Sequence, residues 1–200
     1  MLNLPIDTVV AVLIAYLFGS ISSAIVTCKL MRLPDPRNQG SGNPGATNVL
    51  RFGGKKAAII TLLGDVMKGV IPVLAAKWYG LDTLGLSLVA FAAFFGHLYP
   101  IFFRFKGGKG VATAFGCLVS LSWPLGVSLA LTWLFLAVTI RYSSLAAILA
   151  ALLAPLVAWY FTNLDYVITV SFISFFLIFR HRKNIQNLLA GKEGKIGAKK

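Results

Sequence analysis

Seven apolar segments, separated by short polar stretches, confine this chain to a membrane fold. A helix needs about 20 predominantly apolar residues to cross the hydrocarbon layer of a bilayer. Runs of roughly that length extend over Thr8 to Leu30, Ala57 to Trp78, Thr83 to Phe103, Ser144 to Phe161 and, more briefly, Tyr166 to Phe179. The stretch Val111 to Ile140 is too long for one span, and Ser120, Ser122, Trp123 and Pro124 interrupt it. Proline ends or kinks a helix, so the stretch divides there into two short spans. Composition agrees: 58% of the 200 residues are hydrophobic and only 12% charged, with a mean hydropathy of +0.81, which few soluble domains approach. The expectation is an all-α integral membrane protein with seven transmembrane helices, two of them short, joined by polar loops and short interfacial helices. Residues 1–200 read as one domain. The first apolar run follows no basic leader and precedes no cleavage site, so it reads as a span and not as a removable signal.

The net charge of +13 could suggest a nucleic-acid partner, but its placement excludes that reading. Of the nineteen basic residues, all except Lys68 and Lys77 fall in the first, third and fifth loops or in the C-terminal tail, where Lys199 and Lys200 end the chain. Short cytoplasmic loops of membrane proteins carry the excess of Lys and Arg. These loops and the C-terminus are therefore expected in the cytoplasm and the N-terminus outside. Asp7, Asp82 and Asp165 fall on the external side. The charge is mostly a topological signal, with some attraction for anionic lipid or substrate.

Three polar islands lie on that same side: residues 41–51, 105–113 and 181–185. The first, Ser41-Gly42-Asn43-Pro44-Gly45-Ala46-Thr47-Asn48-Val49-Leu50-Arg51, combines glycines that expose backbone N–H groups with neutral donors and a terminal arginine. Exposed N–H groups form anion-binding nests, and the guanidinium fork suits phosphate. Ala46 to Phe52 is expected to form a short interfacial helix whose N-terminus favours an anion. In the second island, Lys106, Gly107, Gly108, Lys109 and Gly110 lead into an apolar helix. This resembles a nucleotide-binding phosphate loop but has Gly110 where that motif requires Ser or Thr. Glycines and a lysine at a helix start still favour an oxyanion. In the third island, His181 and Asn184 share one helical face, and His181 could act as acid, base or phosphate donor.

Within the spans, Asp65 and Lys68 are three residues apart, and ionisable groups in a membrane are usually paired or functional. Mutual pairing and a functional role have equal standing at this point. His97, near the end of the third span, is placed to orient the second island. Cys28 and Cys117 lie in apolar stretches without metal-ligand spacing and read as small core residues. No metal constellation or Ser-His-Asp triad is visible, nor the His-x-x-x-x-Asp signature of coenzyme-A-dependent acyltransferases. Internal repeats, which many small-anion transporters show, are also not visible.

Taken together, the islands resemble the bacterial acyl-phosphate:glycerol-3-phosphate acyltransferases. Ser41, Gly42, Asn43, Gly45, Thr47, Asn48 and Arg51 fit the family's first motif. Lys106 through Thr113, preceded by Gly96 and His97, fit the second. His181, Arg182, Asn184, Ile185, Leu188, Leu189, Gly191, Glu193 and Lys195 fit the third, in which Asn187 replaces the usual arginine. Gly64, Asp65, Lys68 and Gly69 match a further Gly-Asp-x-x-Lys-Gly run. The resemblance covers the whole chain in order. It implies a bacterial inner-membrane enzyme that moves an acyl group from acyl phosphate to the sn-1 hydroxyl of glycerol 3-phosphate. The products would be lysophosphatidic acid and inorganic phosphate, in the first acylation step of phospholipid synthesis. No cofactor or metal is implied, and the partners are the two substrates and membrane lipid. Ser41, Lys109, His181 and Asn184 are then expected to be catalytic. Gly42, Asn43, Gly45, Thr47, Asn48, Arg51, Lys68, His97, Lys106, Gly107, Gly108, Gly110, Arg182 and Glu193 are expected to bind substrate. The proton acceptor would be either the donor's own phosphate, as thought for the family, or His181. A covalent role for Ser41 lacks an evident paired base.

Overall fold

The structure, a computed structural model, describes residues 4–197. Lys199 and Lys200, counted above with the basic tail, lie outside the described residues. The described residues form helices and no strand. Helix α1 (Ile6–Gly19) bends by 43° into α2 (Ser23–Leu30). Then follow α3 (Ala46–Tyr79), α4 (Thr83–Leu98), α5 (Val111–Leu121), α6 (Trp123–Ile140), α7 (Ser143–Phe161), α8 (Leu164–Arg180) and α9 (Arg182–Leu189). The expected division of the long apolar stretch is present, at Ser122, with Pro124 in the first turn of α6 where its missing N–H costs nothing. By length and hydropathy, four helices could each cross a membrane, or up to six spans if each bent pair counts as one. Helix α5, at 11 residues, is shorter than an ordinary span.

Helix α3 is interrupted at Gly54, whose φ of 80° lies in the left-handed region. Residues 46–53 thus form a separate short helix ahead of the long apolar one, as the sequence suggested for Ala46 to Phe52. Helix α4 is the axis of the bundle and packs against α1, α3, α5 and α8. Two of the helix crossings rest on glycine. Any side chain at Gly19 or Gly96 would strike the backbone of the facing helix across α1–α4, and likewise Gly69 and Gly116 across α3–α5. Small residues let helices approach where lipid supplies no hydrophobic drive for association. Phe94, Leu98, Leu125 and Ile173 fill the interior. Outward-facing Leu131, Leu134, Phe135, Val138, Leu152 and Leu156 form an exposed apolar belt that water would not tolerate but lipid would. Both cysteines are buried and outside any disulfide.

The two ends of the bundle differ. At one end, Lys77, Ser122, Trp123, Thr162, Asn163 and Tyr166 border a shallow depression. Exposed Trp78, Tyr79, Trp159 and Tyr160 stand at the helix ends on the same side, as in the aromatic girdle of a membrane interface. The other end carries all three polar islands.

Candidate active site

The first island is built around a buried asparagine. Asn48, in the first turn of the short helix, is 2% exposed. Its Oδ1 accepts the Ser41 N–H at 3.0 Å, and its Nδ2 donates to the Pro36 and Gln39 carbonyls, each at 2.9 Å. The side chain's hydrogen-bonding capacity is spent on the loop. Asn48 therefore shapes the site, leaving Ser41, Gly42 and Asn43 to face the opening. Gly45 caps the helix in an extended conformation. Thr47 and Arg51 are exposed on its surface.

The second island is gripped from two sides. From α4, the His97 carbonyl accepts the Gly108 N–H at 3.2 Å. From the end of α8, Arg180 donates through Nε to the Gly108 carbonyl at 3.1 Å and through Nη2 to the Gly107 carbonyl at 2.7 Å. Neither glycine can carry a side chain: a Cβ would meet the His97 carbonyl at Gly107 and the His97 ring at Gly108. The Pro44 carbonyl borders Gly108 as well, so the first two islands touch. Gly110, with φ of 86°, turns the chain into α5 against the Phe94 ring.

Below this loop lies a buried polar chain. Lys68 Nζ is 2.9 Å from Asp65 Oδ1 and donates to the Ile21 carbonyl at the α1–α2 bend, also at 2.9 Å. His97 Nδ1 lies 3.6 Å from the same Asp65 oxygen and 3.2 Å from Thr113 Oγ1. Asp65 and Lys68 thus form an ion pair whose lysine also binds the carbonyl at the helix break. Lys68 is 4% exposed and does not reach the opening.

The third island joins α8 to α9. His181 is buried, and its Nδ1–H donates to the Leu177 carbonyl at 2.8 Å. A carbonyl can only accept, so Nδ1 carries the hydrogen and the unprotonated nitrogen is Nε2. Burial, aided by the charges of Lys109 and Arg180, pushes the imidazole down to about 4. Asn184 Nδ2 donates to Glu193 Oε1 at 2.7 Å, and Ser144 Oγ donates to the same oxygen at 2.6 Å. Asn187, where an arginine was expected, points its amide at the other Glu193 oxygen from 3.4 Å. Glu193 therefore ties the tail to α7 and α9.

Between the islands opens a cleft of about 410 Å³, lined by Ser41, Gly42, Asn43, Gly107, Lys109, Arg180, Arg182, Lys183 and Gln186. Four of these are cations and none is an acid. Desolvation, with Arg51, Arg180 and Lys183 nearby, holds the Lys109 ammonium down to about 8 despite the opposing charge of Glu193. The structure therefore gathers Ser41, Gly42, Asn43, Gly107, Lys109 and Arg182 at one opening. Asn48, His97, Lys68, His181, Asn184, Arg51 and Glu193 lie outside its lining, as does the exposed Lys106. By sequence, Arg180 is one of the basic residues of the C-terminal tail. Its position immediately before His181 was visible there, but its grip on a loop more than seventy residues away was not.

Lipid-facing helices topped by a cationic, glycine-walled cleft define a multi-pass membrane protein that handles an anion at the bilayer surface. Comparison with known proteins narrows the class. The family model described as glycerol-3-phosphate acyltransferase matches residues 9–191. A glycerol-3-phosphate acyltransferase of Methylococcus capsulatus is 52% identical over 187 residues, 93% of this chain and 94% of that one. One from Shewanella loihica is 51% identical over 199 residues, 100% of this chain and 98% of its own. Two crystal structures of PlsY, an integral membrane glycerol 3-phosphate acyltransferase, superpose over 96% of both chains. The glycerol 3-phosphate form gives a TM-score of 0.89 at 41% identity, and the lysophosphatidic acid form 0.87 at 39%. The chain belongs to the glycerol-3-phosphate acyltransferase family.

Proposed function

We propose that this protein transfers a fatty acyl group from acyl phosphate to the sn-1 hydroxyl of glycerol 3-phosphate, giving lysophosphatidic acid and inorganic phosphate. The observation that carries the reading is the convergence of three distant polar islands on one acid-free, cationic cleft in a bundle whose outward faces are apolar. Two phosphorylated substrates, one of them lipidic, need that combination. The related structures with glycerol 3-phosphate and lysophosphatidic acid support it.

In the proposed reaction the glycerol hydroxyl attacks the acyl carbon, and the bond from that carbon to the bridging phosphate oxygen breaks. The hydroxyl proton leaves with the phosphate, so the charges of acyl phosphate and alcohol reappear as ester and hydrogen phosphate. Lys109 and loop N–H groups stabilise the phosphate and the developing oxyanion. Arg51, Arg182, His181 and Asn184 hold glycerol 3-phosphate, and Ser41 positions a phosphate or hydroxyl. An imidazole held near 4 is a poor base at neutral pH, which favours the donor's own phosphate as proton acceptor. Neutral His181 can instead accept a hydrogen bond from a glycerol hydroxyl through Nε2. Holding both substrates in one cleft adds orientation.

The same reading puts the chain in the bacterial cytoplasmic membrane as a single catalytic domain of seven spans, with α5 a short crossing. The N-terminus is then external, and the cleft and C-terminus are cytoplasmic. The basic residues around the cleft support this orientation. The deciding experiment supplies purified protein with acyl phosphate and glycerol 3-phosphate. Phosphate release that requires both substrates is expected; release independent of glycerol 3-phosphate would reject the transfer. Substantial transfer by Ser41→Ala would exclude an acyl-serine intermediate.

A further inference from the structure

Arg180 lines the anion cleft, and the simplest role for a cleft arginine is to bind substrate phosphate. Its geometry indicates another use. Two of its N–H groups are directed at protein carbonyls, those of Gly107 and Gly108, and its guanidinium lies over the Tyr99 ring, 5.4 Å from the centroid. The Tyr99 backbone is held, because its carbonyl accepts the Tyr16 hydroxyl at 2.9 Å, and its ring packs on that of Phe95, with centroids 4.9 Å apart. A planar, forked donor stacked on an anchored ring holds one orientation.

Backbone geometry gives the consequence. In a trans peptide the carbonyl and the following N–H point in opposite directions. With the Gly108 carbonyl turned toward Arg180, the Lys109 N–H is turned away from it. Neither the Lys109 nor the Gly110 N–H donates to a backbone carbonyl among the described residues. Gly110 is buried, and buried N–H groups without a partner are rare in folded proteins. The preceding N–H, that of Gly108, is already taken by the His97 carbonyl. The loop is thus held through its carbonyls by Arg180 and through one N–H by α4, leaving without a backbone partner the N–H of Lys109, a residue that lines the cleft.

We infer that Arg180 is a positioning residue for acyl transfer: it fixes the 107–108 and 108–109 peptide planes so that the Lys109 N–H meets the charge that develops during transfer. This rests on the acyl-transfer reading above. It differs from phosphate binding in a measurable way. A positioning residue lowers kcat and leaves substrate KM nearly unchanged, whereas a phosphate ligand raises KM. Lysine keeps the charge and loses the fork, so it cannot replace a positioning arginine.

The test measures phosphate release by wild type, Arg180→Lys and Arg180→Ala, each confirmed folded by thermal denaturation in the same detergent. Both variants should lose roughly 100-fold in kcat, the range for removing one oxyanion donor, with KM for glycerol 3-phosphate within about threefold. Added guanidinium should restore part of the Arg180→Ala activity, and methylammonium should not. Wild-type kcat in Arg180→Lys, a loss carried by KM, or the absence of guanidinium rescue would each overturn the inference. If Arg180→Ala does not fold, the kcat-against-KM split of Arg180→Lys decides. Because both variants are scored against active wild type, failure here is distinct from failure of the acyl-transfer reading, in which wild type itself would be inactive.

Discussion

The first and second glycine loops lie side by side, yet they are held in different ways. The first is closed from within: Asn48 reaches back seven to twelve residues and ties Ser41, Gln39 and Pro36 together. The second has no such internal clasp. Its carbonyls are held by Arg180, 72 and 73 residues away, and its Gly108 N–H by the carbonyl of His97 on α4. A loop closed by its own side chain keeps its shape as a local property. A loop held between two helices keeps its shape only while those helices keep their spacing. The chemistry follows the same division, with neutral donors lining the cleft from the self-closed loop and the half-buried ammonium from the suspended one.

The largest expected effect tests the suspended loop. Lys109→Ala should lower kcat by about 100- to 1,000-fold, as loss of an oxyanion donor does, when phosphate release is followed. Near-normal turnover would remove that loop from the chemistry. Next comes the self-closed loop. Asn48→Ala leaves the Ser41 N–H and the Pro36 carbonyl without a partner, while the Gln39 carbonyl keeps the Gly42 N–H, at about 1–3 kcal/mol for each group that stays dry. With partial rehydration the expected loss is about 2 kcal/mol, seen as a lower melting temperature together with reduced activity. Loss of activity at an unchanged melting temperature would mean that Asn48 acts on substrate directly.

The third test uses pH. Lys109 in the free enzyme is charged below about 8 and neutral above it. The kcat/KM for acyl phosphate should therefore fall as pH rises through about 8, approaching tenfold per unit. Arginine stays charged throughout, so Lys109→Arg, whatever its maximum, should lack this alkaline fall. A fall that persists in Lys109→Arg belongs to another group. The smallest effect is at Lys106, which is exposed and outside the cleft lining. Lys106→Ala should keep kcat and KM within about twofold, and a larger loss would extend the anion site beyond the cleft.

Much of this was legible in the residues. The all-helical membrane architecture followed from the lengths of the apolar runs, and the division near Ser122 from Pro124 and its polar neighbours. The short helix before Gly54 followed from a polar stretch that starts at Gly45. The three islands were legible as candidate anion cradles because glycine, amide and cationic side chains cluster there. What could not be read was which of their residues face the opening. Asn43 and Asn48 are alike in composition and only five residues apart, yet one lines the cleft and the other is spent on the loop. Lys68 and Lys109 are both lysines beside glycine, yet one closes a helix break while the other stands at the opening. The division of the family's residues between contact and support depends on side-chain direction, which motif spacing does not carry.

The sequence by itself determined the solvent and the chemistry. Apolar runs of spanning length favour helices in lipid, and glycines, amides and basic groups confined to three islands suit phosphate. Only the tertiary structure decided how the islands become one site. The α1–α4 and α3–α5 crossings are close because glycines face backbone there. That packing brings residues 41, 107, 109 and 180 to one opening. The reason is physical: helix propensity and hydropathy act over neighbouring residues. The orientation of a peptide plane in the second loop depends on a guanidinium delivered by the last helix of the bundle.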